Sequence, residues 1–295
     1  MKINPPSWMG DLGYHIESYA LKELTIPGSH DSGTYGMVDA AAAQGVNVYE
    51  QLRAGARYLD LRVEWNKNEK QTQLPIRDPD YYMYHGNFVS DNKWSSVLDQ
   101  IERFLRENQR EILILYVRLY PREGQDEKTE RLKVWDPLLK RFPNQLADQD
   151  PASVKLKDLW NSGRRIVIFA EFSKDVELYP KSIWPADKMR SYYANTSDTN
   201  TLLQRLDENV RQPRGEDIWQ LGTQLTPSEA EVISSAGGTL PWGSLHELAK
   251  KSTPLILKRL QNEWLNLPLN IVTGDYVHEF GFCEAVIKYN QAAQD

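Results

Sequence analysis

The stretch LTIPGSHDSGT, residues 24–34, is the most informative part of this 295-residue chain. It begins with apolar residues that predict a β-strand and continues into a segment that carries His30 and Asp31. A histidine exchanges protons near neutral pH, and a neighbouring carboxylate can stabilise its charged form. This pairing directly after a strand indicates a candidate site, and the segments that follow the other strands extend it.

Short apolar segments alternate with helical patterns along the chain, and several are continuous runs, as expected for parallel strands buried on both faces. The predicted strands are 21–27, 57–63, 81–85, 112–119, 165–172, 217–222 and 269–275. The predicted helices are 47–53, 94–108, 129–141, 201–210, 245–265 and 280–291. This alternation is typical of a closed α/β barrel or an open doubly wound sheet. Because the glycine-rich nucleotide-binding motifs are absent, we favour a single distorted TIM-type (βα) barrel with parallel strands.

Composition limits the function classes. With 9 Trp, 15 Tyr and 7 Phe, the chain is not mainly disordered, and we expect one domain over residues 1–295 whose residues 1–20 pack on the barrel as an N-terminal extension. A net charge of -6 argues against an electrostatic nucleic-acid binder. The single cysteine, Cys283, excludes an intrachain disulfide framework and a cysteine-cluster zinc site. The N-terminus has no apolar signal segment, so we expect a cytoplasmic protein, or a secreted one if the chain is a processed form.

Charged or histidine side chains lie at or just after the ends of six predicted strands, which in a barrel form the catalytic face. They are His30, Asp31, Asp60, Arg62, His85, Arg118, Glu171 and Asp275. Two histidines can divide general-base and general-acid duty, and an arginine offers a planar fork that matches phosphate oxygens. The set therefore predicts cleavage of a phosphodiester without a metal ion.

Five segments resemble, in order, the motifs of the phosphatidylinositol-specific phospholipase C X domain. The first is residues 24–34, and the others are YLDLR at 58–62, YHG at 84–86, the segment 108–118 and GDY at 274–276. The resemblance extends from residue 24 to about residue 291. It implies the barrel fold and an attack of the inositol 2-hydroxyl that yields 1,2-cyclic inositol phosphate and diacylglycerol.

The family's catalytic roles transfer to five matching positions. The resemblance implies that His30 is the general base and that Asp275 orients it. Arg62 would bind the non-bridging phosphate oxygens, and His85 would protonate the leaving glycerol oxygen with help from Asp31.

Five further residues are assigned to substrate binding by the same resemblance. Asp60 would support Arg62 or the pocket floor, and Arg118 stands where the bacterial enzymes carry a basic residue. Glu171 is a departure, because it is the nearest match to an arginine that binds inositol in those enzymes. Asn195 or Asp198 would contact sugar hydroxyls, and Tyr276 belongs to the last motif.

The expectation that no metal ion is needed depends mainly on Arg62. The eukaryotic signalling enzymes of this family place calcium ligands where Asp31, Arg62 and Arg118 stand here, and an arginine is a poor neighbour for calcium. The resemblance thus implies an enzyme of the bacterial type with no metal and no cofactor. Its partner would be phosphatidylinositol in membranes or micelles, met by transient interfacial contact, and no protein partner is implied. The alternatives are another glycerophosphodiester or a glycosyl-phosphatidylinositol anchor as substrate, or a non-catalytic inositol-lipid binding module.

Overall fold

The computed structural model describes residues 3–66, 79–228, 231 and 243–292. Within these ranges, ten strands belong to one sheet. They are β1 (Ile26–Ser29), β2 (Tyr58–Trp65), β3 (Tyr81–His85), β4 (Phe88–Lys93), β5 (Leu113–Tyr120), β6 (Ile166–Ala170), β7 (Trp184–Pro185), β8 (Met189–Tyr193), β9 (Ile218–Gly222) and β10 (Ile271–Gly274).

Nine α-helices lie in the described residues. They are α1 (Trp8–Leu12), α2 (Val48–Ala54), α3 (Trp94–Glu107), α4 (Glu127–Arg141), α5 (Leu156–Ser162), α6 (Ser173–Leu178), α7 (Thr199–Asn209), α8 (Leu245–Gln261) and α9 (Phe282–Ala292). None of the helices in this part of the chain has the length and apolar character needed to cross a membrane.

The sheet curls into a nearly closed barrel. Eight strands follow one another in the order β7-β6-β5-β2-β1-β10-β9-β8, and every neighbouring pair is parallel. Strands β3 and β4 form an antiparallel hairpin, and β3 pairs with the C-terminal part of β2. No ladder joins β7 to β8 over their described residues, which leaves one seam in the wall. The predicted parallel-strand barrel is therefore confirmed.

Alternation along the strands separates the outer core from the barrel interior. In β2, Leu59 and Leu61 pack outward in a cluster with the apolar face of α3. Tyr58 belongs instead to the cluster that holds Ile114 of β5 and Ile271 of β10. Because Asp60 and Arg62 share the parity of Tyr58, the same alternation directs both side chains into the barrel mouth.

The N-terminal segment closes the opposite end of the barrel. Trp8 is fully buried and donates from Nε1 to the carbonyl oxygen of Gly55. Arg57, directly before β2, is also fully buried, and its Nε lies 2.8 Å from Oε2 of Glu111. The Arg57 guanidinium also donates to the carbonyl oxygens of Pro5 and Pro6, at 3.1 and 2.8 Å. This buried ion pair thus ties the chain terminus to the starts of β2 and β5.

The observed elements differ from the predicted ones in two ways. A local turn takes the place of part of one predicted strand, and several short elements lack the apolar pattern that a prediction needs. The first strand is Ile26–Ser29 rather than 21–27, because Leu21–Glu23 forms a 3₁₀ turn in which the Glu23 carboxylate accepts from the Ala20 amide at 2.7 Å. Strands β4, β7 and β8 and helices α1, α5 and α6 were not predicted. Of these, β4 reads FVSDNK and β7 has two residues, so neither carries a recognisable strand pattern.

Replacing Arg57 by Met should destabilise the protein by about 3–5 kcal/mol, because it leaves the Glu111 carboxylate buried without its cation. Urea unfolding would measure this loss, and limited proteolysis should cut the freed N-terminal segment. Lys140→Ala, which removes an exposed i,i+4 pair with Asp136, is the control and should leave the midpoint close to wild type. Equal midpoints for the two variants would contradict this account of Arg57.

Candidate active site

The turn after β1 brings two consecutive side chains to the barrel mouth. Neighbouring residues on a strand face opposite ways, but Asp31 has a φ of 45°, in the left-handed region. Its carbonyl oxygen accepts from Oγ1 of Thr34 at 2.8 Å, and its amide faces Oδ2 of Asp60 at 3.4 Å. Aspartate tolerates this conformation better than most residues. The turn therefore places both His30 and Asp31 in the same buried cluster.

Two glycines of the first motif are required by close approach. A Cβ on Gly28 would lie 2.5 Å from Cγ2 of Thr273, inside the barrel. A Cβ on Gly33 would lie 2.4 Å from Cγ of Met83, on β3. The motif thus spaces β1 against β10 on one side and the turn after β1 against β3 on the other.

His30 is oriented by a carboxylate on the neighbouring strand. Its Nδ1 lies 2.8 Å from Oδ1 of Asp275, which directly follows β10. Since an ionised carboxylate only accepts, Nδ1 carries the proton and Nε2 is left to face the mouth. That Nε2 is 3.3 Å from Oδ2 of Asp31 and 3.3 Å from Nη2 of Arg62.

Arg62 spans two carboxylates. Its Nε lies 2.5 Å from Oδ1 of Asp31, and its Nη2 lies 2.9 Å from Oδ2 of Asp60. Burial alone would lower the pKa of Arg62, but Asp31 and Asp60 hold it well above its ordinary value. In turn, Arg62, His30 and His85 keep the pKa of Asp31 low despite its burial. The mouth therefore contains a fixed guanidinium that faces solvent through a small opening.

His85 approaches the same carboxylate from the β3 side. Its Nδ1 donates to the carbonyl oxygen of Ala41 at 2.9 Å, which leaves Nε2 to face the cluster. That Nε2 is 3.3 Å from Oδ2 of Asp31, the same oxygen that faces Nε2 of His30. The two imidazoles have ring centroids 6.3 Å apart and are nearly perpendicular. Asp31 thus stands between the reactive nitrogens of both histidines.

The charge of this cluster changes the protonation of His30. Burial by itself would lower the pKa of His30, but Asp31 and Asp275 together raise it to about 9, against a smaller opposing effect of Arg62. Burial raises the pKa of Asp275, and His30 lowers it in part. At neutral pH, His30 of the ligand-free site is therefore protonated on both ring nitrogens and positively charged.

A cleft of about 540 Å³ adjoins the cluster between β2, the β3–β4 hairpin and the end of β5. Arg62 and Arg118 line it together with Tyr84, whose hydroxyl is buried. Nη2 of Arg118 is 3.4 Å from Oε1 of Glu171, and the hydroxyl of Tyr116 donates to Oε2 of the same carboxylate. Glu171 is thereby held at the mouth by two neighbours.

Asn195 and Tyr276 are not brought into this cluster. Asn195 is exposed in the loop after β8, with a φ of 47°. The Tyr276 ring lies against the His246 ring, 4.5 Å between centroids, and packs in the apolar cluster beside α8. Its φ of 49° turns the side chain away from the side on which Asp275 meets His30.

Sequence reasoning missed Tyr193, at the end of β8. Its ring centroid is 6.0 Å from that of His30, and burial with the nearby Asp60 raises its pKa. The signal was weak, because β8 reads MRSYY and offers no continuous apolar run. The tyrosine supplies a flat wall next to His30.

His30, Asp31 and Asp60 also form a possible metal set in the described part of the chain, with one ligand atom from each within 4.8 Å of the others. Calcium requires six to eight oxygen ligands. Here the Arg62 guanidinium already lies against both carboxylates, and two of the four residues at the centre are cationic when His30 is protonated. These residues do not fit a calcium ion.

Comparison with known proteins places this arrangement in context. The family model of the phosphatidylinositol-specific phospholipase C X domain matches residues 18–172, more than half of the chain. PI-PLC X domain-containing protein 3 of Bos taurus is 25% identical over 321 residues, covering 98% of this chain and 94% of that protein. PI-PLC X domain-containing protein 2 of Mus musculus is 26% identical over 322 residues, covering 98% of this chain and 88% of that protein.

Solved structures show the same fold. A mutant of the phosphatidylinositol-specific phospholipase C from Staphylococcus aureus superposes with a TM-score of 0.71 at 17% identity, covering 97% of this chain and 98% of that chain. The phosphatidylinositol-specific phospholipase C from Listeria monocytogenes gives a TM-score of 0.70 at 19% identity, covering 97% and 99%. The barrel and its connections are therefore shared across nearly the whole length.

The His30 imidazole should titrate near pH 9, measured by NMR of its carbon-bound ring protons. The folded protein then holds a proton between pH 6.5 and 9 that the unfolded chain releases, so this stabilisation is complete below pH 6.5 and is lost as the pH rises through 9. Asp275→Asn should move the titration toward 6.5 and flatten the fall in unfolding free energy. The control Asp136→Asn, on α4, should change neither, and a wild-type titration at or below 6.5 would contradict the assignment.

Proposed function

The chain belongs to the phosphatidylinositol-specific phospholipase C X-domain family, and on that premise we propose that it cleaves phosphatidylinositol to 1,2-cyclic inositol phosphate and diacylglycerol. One observation carries the proposal. Nε2 of His30 and Nε2 of His85 each lie 3.3 Å from the same oxygen of Asp31, beside the Arg62 guanidinium. A phosphodiester bound to Arg62 would therefore have a base and an acid within reach on different sides.

The proposed reaction is an internal displacement. Neutral His30 takes the proton of the inositol 2-hydroxyl, and that oxygen forms a bond to phosphorus. The bond from phosphorus to the glycerol oxygen breaks, and protonated His85 delivers its Nε2 proton to that oxygen. The nucleophile belongs to the substrate itself, so little translational entropy is lost in the chemical step. Arg62 offsets the charge that develops on the non-bridging oxygens.

Asp31 and Asp275 have different proposed roles. Asp275 fixes the ring of His30 with Nδ1 protonated, so that Nε2 is the basic atom. Asp31 faces Nε2 of His85 at 3.3 Å and would orient that ring as the general acid. Asp31 also favours protonated His30, so the neutral base is the minor form of His30 below about pH 9.

We propose that this chemistry proceeds without calcium. The two carboxylates nearest to the reacting centre, Asp31 and Asp60, are engaged by Arg62 rather than open to a cation. A guanidinium fixed in this position supplies the positive charge that a metal ion supplies elsewhere.

Phosphorus NMR of the purified protein with phosphatidylinositol micelles in EDTA should show the cyclic inositol phosphate signal, because neither base, acid nor phosphate ligand depends on a metal. His30→Ala should abolish the signal while circular dichroism remains that of the wild type. Lys140→Ala, at an exposed site, is the matched control and should turn over normally.

The other outcomes separate the alternatives. Turnover only after calcium is added would overturn metal independence. Binding of the micelles with no turnover in either buffer would favour the inositol-lipid binding module. Release of a non-cyclic phosphate from another glycerophosphodiester would move the substrate away from inositol.

His85→Ala should slow cleavage of a phosphodiester with an alkyl leaving group by about 10²–10⁴-fold, the usual contribution of a general acid. The same variant should lose little activity on a nitrophenyl phosphodiester of inositol, because nitrophenolate leaves without a proton. His30→Ala should lose activity on both substrates. Stopped-flow absorbance and phosphorus NMR give the two rates, and an equal loss for His85→Ala on both substrates would refute its assignment as the acid.

A further inference from the structure

We propose that Gln44 is a positioning residue whose side-chain amide holds His30 and Asp275 at hydrogen-bonding distance. Gln44 lies in the loop between β1 and α2 and is fully buried. Its Nε2 donates to the carbonyl oxygen of His30 at 2.8 Å and to that of Gly274 at 3.1 Å. The amide thus touches the main chain of His30 and of the residue immediately before Asp275.

The ladder of β1 with β10 ends beside His30, so a side chain has to supply the hydrogen-bond donor that a neighbouring strand would otherwise provide. The ladder between β1 and β10 ends at the pair Ser29 and Gly274, and one further bond follows, from the His30 amide to the Gly274 carbonyl at 3.1 Å. The chain then departs at Asp31, where φ is 45°. The His30 carbonyl has lost its strand partner, and the Gln44 amide supplies one.

The oxygen of the same amide fixes the other side of Asp275. Oε1 of Gln44 accepts from the Val277 amide at 3.2 Å. One side chain therefore bonds to the main chain of His30 itself and to Gly274 and Val277, which lie on either side of Asp275. The separation of 2.8 Å between Nδ1 of His30 and Oδ1 of Asp275 depends on how these two strand ends are spaced.

The main chain next to Gln44 is held independently of its side chain. The Ala43 amide donates to Oγ1 of Thr34 at 3.0 Å, and the Ala43 carbonyl accepts from the Tyr276 amide at 2.9 Å. Replacing Gln44 by Met, which has a similar length and no amide, thus removes the bridging group and leaves the loop anchored. All three hydrogen bonds of the Gln44 amide described here go to main-chain groups, so its effect passes through the backbone.

The test compares Gln44→Met with Gln220→Met. Gln220 is another fully buried glutamine of the barrel, and its Nε2 donates to Oγ1 of Thr273 rather than to the main chain beside His30. NMR titration of His30 is the first readout. We expect its pKa to fall in Gln44→Met because the bond to Asp275 lengthens, and to stay at the wild-type value in Gln220→Met.

Turnover of phosphatidylinositol is the second readout and rests on the proposed function. Gln44→Met should lower kcat at least tenfold with KM changed less than threefold, since the amide lies outside the substrate cleft. A wild-type His30 titration in Gln44→Met would overturn the proposal. The NMR result holds whether or not the wild type hydrolyses phosphatidylinositol, so failure of the substrate assignment is distinguishable. If Gln44→Met does not fold, Gln44→Asn, which keeps an amide one methylene shorter, should give the same direction of change, and an unchanged titration there would equally refute it.

Discussion

The ion pair between Arg62 and Asp31 is the interaction on which the rest of the site depends. Asp31 is 1% exposed, and a carboxylate buried to that extent stays ionised only when a cation compensates it. Arg62 provides that cation at 2.5 Å, which keeps the pKa of Asp31 low. The ionised Asp31 is then a leading cause of the raised pKa of His30. The raised pKa of His30 thus depends on the ionisation of Asp31 that Arg62 maintains, although Arg62 by itself lowers the pKa of His30.

The barrel fold allows several charged side chains to be buried together at one end of the sheet. Side chains that point inward near the N-terminal end of the strands, such as Ile114 and Ile271, are apolar and fill the interior. Those that point inward near the C-terminal end include Asp60 and Arg62, and Arg62 meets His30 and Asp31 directly after β1. The same alternation therefore gives an apolar barrel interior with charged side chains at the barrel mouth. The low dielectric constant of the interior strengthens the electrostatic interactions at the mouth.

Sequence alone could identify the barrel and most of the charged residues at its mouth, because continuous apolar strands and polar strand ends are local patterns. It could not foresee the left-handed conformation of Asp31, which depends on tertiary contacts with Asp60. For the same reason, Tyr276 was expected at the mouth although its backbone turns the ring toward His246. Tyr193 was missed because its strand is short and polar, and its position is set by pairing with β9.

The seam between β7 and β8 gives the barrel a mechanical property that a closed ring lacks. The two strands are consecutive in the chain and are joined by the 3₁₀ turn Ala186–Lys188, yet no ladder connects them over these described residues. The wall is therefore discontinuous there: β7 and β8 can shift relative to each other without breaking a ladder hydrogen bond between them, although the turn keeps them covalently joined. Because β8 carries Tyr193 beside His30, spreading at the seam would widen the mouth on that wall, while the ladders of β1 with β2 and β10 hold the charged centre rigid. The barrel wall is thus least constrained at β7 and β8 and most constrained at β1, β2 and β10, next to which the charged centre lies.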